Sequence, residues 1–138
     1  MPRSFALSLL FLAACSTPRA GSTDETTSSR SPIVATSDSA TVVRLERESR
    51  ALARADGCTS AATCRAAPLG SRPCGGPRDY LVYCASTTDS ATLSAKLDSL
   101  RVAEERWNQA RGIASTCEFR EPPAVAVQGG SCARVKPE

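Results

Sequence analysis

Apolar residues return at helical spacing in two places along the chain. In Thr41–Asp56, TVVRLERESRALARAD, the residues Val42, Leu45, Ser49, Leu52 and Ala53 fall on one face, as an amphipathic helix requires. Ser39 or Thr41 can cap its start. Gly57 stands where a helix closes in the left-handed conformation. Arg44 with Glu48, and Glu46 with Arg50, are i,i+4 pairs on the charged face, each contributing a few tenths of a kcal/mol. The stronger signal spans Ser90–Arg111. Leu93, Leu97, Leu100, Ala103, Trp107 and Ala110 form its stripe, Thr88 or Asp89 precedes it, and Gly112 follows it. Trp107 closes the stripe and is expected at the centre of the core. Glu104 falls on the stripe between Leu100 and Trp107. The expected position is the stripe's edge, with the carboxylate in solvent, against the alternative of a buried acid.

Elsewhere the period shortens or disappears. Tyr80–Tyr83 has strand propensity and follows Gly75-Gly76-Pro77, a turn in which glycine permits positive φ and proline fixes the exit. Ala124–Gln128 and Ser131–Val135 flank Gly129-Gly130 and predict a hairpin. Ile113–Glu121 is irregular and ends at Pro122-Pro123. Ser16–Ala40 is rich in Ser and Thr and nearly devoid of apolar residues. It cannot bury enough surface to offset its ordering entropy, and predicts a flexible tether spanning about 25–30 Å as a random coil.

The cysteines alter this picture most. The sequence has 138 residues and seven cysteines, with one Trp, two Tyr and three Phe. A core this poor in aromatics favours covalent staples, and cysteines at this density in a short exported chain pair as disulfides. Four of them, Cys58, Cys64, Cys74 and Cys84, fall in one stretch rich in Gly and Pro, and Cys117 and Cys132 follow. Six cysteines allow 15 pairings. A short Cys58–Cys64 loop would leave Cys74 and Cys84 to reach Cys117 and Cys132 across the second helix. The fold expected is small α+β: two helices on a minimal antiparallel sheet, stapled by disulfides.

The seventh cysteine belongs to the N-terminus. Arg3 precedes an apolar run of ten residues, Phe5–Ala14, too short for a bilayer of about 30 Å and suited to a secretory signal. Leu12-Ala13-Ala14-Cys15 resembles the lipobox of bacterial lipoprotein signal peptides. That resemblance implies a leader at 1–14, lipidation of Cys15, a tether at 15–40 and a globular domain at 41–138. It implies a membrane partner reached through lipid, at the bacterial cell envelope. Ser16 rather than Asp after the cysteine favours the outer membrane in a cell that has two. The order from Cys58 through Arg72-Pro73-Cys74-Gly75-Gly76-Pro77 to Cys132 also resembles small secreted bacterial proteins bearing a Cys-Gly-Gly-Pro motif. This implies export and disulfides and supplies no catalytic residue.

The chemistry is narrow. There is no histidine, which removes Ser-His-Asp and Cys-His catalysis and the commonest metal ligand. The only lysines are Lys96 and Lys136, one in mid-helix and one near the end, a poor basis for a Ser–Lys pair. Cys58 and Cys64 are separated by five residues and Cys74 and Cys84 by nine, spacings that fit neither a zinc knuckle nor a Cys-x-x-Cys redox pair. No metal or cofactor is expected. The chain carries 17 basic and 14 acidic residues. Losing Arg3 with the leader leaves 16 against 14, interspersed, which does not point to nucleic acid. The expected function is a non-enzymatic binding or structural module with a protein partner. The alternative is a protease inhibitor using Arg65 and Arg72 in the segment between Cys64 and Cys74, because bracing a loop lowers its ordering cost on binding.

Overall fold

The computed structural model describes residues 32–136. Cys15, the leader and most of the tether lie outside the described residues. Helix α1 runs Pro32–Leu52 and α2 Ser90–Arg111; strands β1 (Cys64–Leu69) and β2 (Asp79–Cys84) form one antiparallel sheet, and β3 (Val125–Gln128) and β4 (Ser131–Arg134) another. The domain is therefore the small disulfide-rich α+β fold that the sequence predicts, with two two-stranded sheets in place of one.

The two helices pack antiparallel: Lys96 Nζ meets Glu48 Oε2 at 2.8 Å, and the Arg54 N–H, just past α1, donates to Thr88 Oγ1, just before α2, at 3.0 Å. Between them and β1 lie Leu45, Leu69, Leu93, Leu97 and Leu100. Fully burying a leucine contributes about 1.5–3 kcal/mol, so these five side chains are the main apolar stabilisation of the helical half. Asp89 caps α2 by accepting from the N–H groups of Ala91 and Thr92, and Gly112 ends it at φ 58°. Both follow from the sequence. The Arg44–Glu48 and Glu46–Arg50 pairs form, at 2.9 and 2.8 Å.

Helix α1 differs at both ends. It begins at Pro32, inside the stretch expected to be a tether; proline suits the first helical position, where its missing N–H has no partner to lose. It stops at Leu52 rather than Asp56, because the backbone beyond is claimed elsewhere. Arg54 O accepts from Cys84 N at 2.7 Å, Ala55 O accepts from Cys132 N at 2.9 Å, and Cys58 N donates to Gly130 O at 3.0 Å. Residues 54–58 thus join the two sheets, and Gly57 (φ 79°) serves that connection rather than a helix cap.

The disulfides are Cys58–Cys84, Cys64–Cys132 and Cys74–Cys117. A local Cys58–Cys64 loop does not form. Cys64 and Cys84 stand opposite each other in the first sheet, yet they do not bond each other: Cys64 is joined to Cys132 of the hairpin and Cys84 to Cys58. The four sulfurs, packed with Val82, Val125 and Val127, form a second small core. Those of Cys58, Cys84 and Cys132 lie within 4.8 Å of one another, all already bonded in disulfides.

Two α2 residues also differ from expectation. Trp107 is half-buried and stands outside the leucine cluster, with the Arg111 guanidinium 4.7 Å from its ring centroid. Glu104 takes the inward position instead and is 6% exposed.

Candidate functional site

The feature that distinguishes this surface is the segment after α2. Residues 113–124 form no helix, strand, turn or bend, yet the segment is tied down. The Cys74–Cys117 disulfide pins it covalently. Arg72 reaches across and donates from Nη1 to Glu118 O and from Nη2 to Thr116 O. Tyr80 Oη donates to Arg120 O at 2.9 Å. Amid these anchors Phe119 is 86% exposed. Phe119 is thus a large aromatic in water on a backbone fixed on both sides of it.

The anchors are themselves positioned from beneath. Glu104 Oε2 accepts from Ser71 N at 2.5 Å, and Asn108 Nδ2 donates to Ser71 O at 3.0 Å, so α2 grips both backbone groups of the residue before Arg72. Glu104 Oε1 also receives Arg78 Nε and Nη2 at 3.1 and 2.9 Å, and Arg78 Nη2 continues to Glu46 Oε2 at 2.8 Å. Burial works to raise the Glu46 pKa, but Arg50 and Arg78 outweigh it and hold that carboxyl below its ordinary value. Gly70 completes the cradle. At φ +69°, a Cβ there would stand 2.2 Å from Glu104 Oε2, so only glycine lets the carboxylate reach the Ser71 amide.

The sequence-predicted residues fall differently. Arg65 lies in β1 and turns back onto its own neighbours, donating from Nη1 to Ala62 O and Cys64 O at 2.7 and 2.8 Å. Arg72 is a brace, not a presented side chain. The segment between Cys64 and Cys74 is not closed on itself, because Cys64 bonds Cys132 and Cys74 bonds Cys117. Residues 64–69 are a paired strand rather than a projecting loop. Phe119 was legible only as an apolar residue in an irregular stretch. Nothing local marks its bracing, since Arg72 and Tyr80 lie 46 and 40 residues from the carbonyls they hold at Glu118 and Arg120.

A cavity of about 130 Å³ lies between β1 and α2, beside Ala67, Tyr83, Leu93 and Leu97. It is smaller than the ~300 Å³ at which small-molecule pockets usually begin; a larger, more open hollow of about 360 Å³ runs beside Arg72, Pro73, Asn108 and Ile113. Among the described residues no helix is long and apolar enough to cross a membrane. Compared with known proteins, the chain matches no family model, no curated protein and no solved structure.

The bracing disulfide is also the accessible one. Cys74 and Cys117 are exposed, whereas Cys58, Cys64, Cys84 and Cys132 are buried. Thiol exchange requires access to the sulfur. Limiting phosphine followed by alkylation should therefore label Cys74 and Cys117 ahead of the other four, read by peptide mass mapping. Equal labelling of all six would contradict the burial described.

Proposed function

We propose that the protein is a lipoprotein of the bacterial cell envelope, held by lipid on Cys15, whose folded domain is a non-enzymatic binding module. The observation that carries the binding role is Phe119, exposed on a segment fastened at Thr116, Cys117, Glu118 and Arg120. Fixing a loop before it meets a partner removes much of its ordering cost on association. An aromatic side chain supplies contact area with few rotatable bonds. The absence of histidine from the sequence supports binding over catalysis. The anchor rests on Leu12-Ala13-Ala14-Cys15; lipid of the lipoprotein type supplies more than one acyl chain, as stable attachment requires.

The test is site-specific photo-crosslinking in intact cells, with the photoreactive residue at position 119 or, as a control, at exposed Arg47 on α1. A discrete protein adduct from 119 and none from 47 is expected. No adduct, or the same adducts from both, would contradict a binding role for this segment. In the same cells Cys15→Ala should release the protein from the membrane fraction; unchanged retention would contradict the lipid anchor.

A further inference from the structure

The backbone of the braced segment says what kind of partner it fits. Thr116, Glu118 and Arg120 turn their carbonyls inward, onto Arg72 and Tyr80. Among the described residues no hydrogen bond falls on the carbonyls of Cys117 and Phe119, nor on the N–H groups of Thr116–Glu121. The segment therefore carries unpaired backbone groups that a partner's backbone can meet. Within it one residue, Phe119, combines an exposed aromatic side chain with an unbonded carbonyl, and the carbonyls on either side of it are locked.

We infer that residues 116–121 form a substrate-like inhibitory loop for serine proteases with an aromatic-accepting pocket, with Phe119 as the anchor and Phe119–Arg120 as the bond presented. This rests on the binding-module reading above and gives its partner a class. Three requirements of such an enzyme are met together. Its specificity pocket takes the side chain before the scissile bond, and an apolar slot takes an aromatic. Its oxyanion hole needs that same residue's carbonyl as an acceptor, and the Phe119 carbonyl is one that the fold leaves unengaged. Its own backbone pairs with free backbone groups of the ligand, which Thr116–Glu121 supply.

The bracing also explains why the loop would inhibit rather than be consumed. Hydrolysis would add water across Phe119–Arg120, leaving a carboxylate on Phe119 and an ammonium on Arg120. The first end would stay fastened by Cys74–Cys117 and Arg72, and the second by Tyr80. Neither could diffuse away, so the new amine would remain placed to re-form the bond. Arg72 takes the place of a contact residue in the alternative read from the sequence; here it is the support, and the contact residue is Phe119.

The test titrates the full-length protein against chymotrypsin, subtilisin and trypsin. Inhibition of chymotrypsin or subtilisin is expected at concentrations on the order of 10 µM or below, the weak end for a preorganised interface. Phe119→Ala, which alters an exposed side chain and leaves the fold intact, should weaken inhibition by about 30-fold or more, as loss of an anchoring aromatic does. Phe119→Lys should transfer inhibition to trypsin. Arg72→Ala should turn the protein into a substrate, with cleavage between Phe119 and Arg120 found by mass spectrometry. No inhibition of chymotrypsin or subtilisin at tens of micromolar, or equal inhibition by Phe119→Ala, overturns the inference. Failure here with a persisting crosslink at 119 means a binding module with another class of partner; failure of both removes the loop's role altogether.

Discussion

Replacing Cys64 and Cys132 together by alanine is expected to lower the unfolding free energy by about 4 kcal/mol, on the loop-closure account of a cross-link between residues 68 apart in sequence. This bridge joins the β1–β2 sheet to the C-terminal hairpin, and both sulfurs are buried. Its loss frees the unfolded chain and also loosens the second core, where sulfur replaces the aromatic residues the sequence lacks. A domain of this size holds roughly 5–15 kcal/mol in all, so the variant should sit near the edge of folding at growth temperature. Urea unfolding of the wild type and the double variant measures the difference. A loss under about 1 kcal/mol would show that helix packing alone carries the fold.

The second large effect is expected at Gly70. Gly70→Ala sets an L side chain at φ +69° and puts its Cβ 2.2 Å from Glu104 Oε2. The left-handed backbone alone costs about 1–2 kcal/mol. A surface glutamate would swing aside at little cost, but this carboxylate is buried and holds the Ser71 amide and Arg78. Displacing it leaves buried groups unsatisfied, a further penalty of about 1–3 kcal/mol. Thermal and urea unfolding should therefore report a loss of about 3 kcal/mol or more. Because both residues act through one contact, Gly70→Ala combined with Glu104→Ala should cost less than the two single losses added. Strict additivity would contradict the cradle.

How far these features could be read in advance depended on how local their causes are. Helix α2 was legible from its stripe, its Asp89 cap and Gly112, because each signal lies within one turn of what it controls. The C-terminal hairpin was legible from Gly129-Gly130 for the same reason. Strand β1 was not: Ala66-Ala67-Pro68 has little strand propensity, and it is extended because β2 pairs with it along its length and Cys64 is bonded to Cys132. The disulfide pairing depended on how residues 54–58 and the C-terminal hairpin come together beside the first sheet, contacts distant in sequence. Glu104 carried the wrong expectation because its burial is compensated by Ser71 and Arg78, 33 and 26 residues away. Trp107 erred in the opposite sense, since the i,i+4 step from Leu100 leads to Glu104, and the large ring is left half in solvent beneath Arg111.

The candidate site was the least legible part. Its sequence shows one phenylalanine, a cysteine and two prolines in an irregular run. Its bracing comes from Arg72, Cys74 and Tyr80 in the stretch that looked like the loop to present. The sequence therefore suggested a braced, basic loop near Arg65 and Arg72, whereas the fold uses that region as the support for another segment. An arginine flanked by Ser71 and Pro73 reads as exposed, but its backbone is gripped through Ser71 by α2, and its guanidinium is consumed by two carbonyls.

Residues 116–121 are held rigid at Thr116, Cys117, Glu118 and Arg120 while their other backbone groups stay unpaired. Backbone amide order parameters measured on the full-length protein address this rigidity most directly. The account predicts values for Cys117–Arg120 near the ~0.85 of rigid backbone, matching β1 and β2, and a fall toward ~0.6 or below in Arg72→Ala. Low values for these residues in the wild type, unchanged by Arg72→Ala, would contradict it.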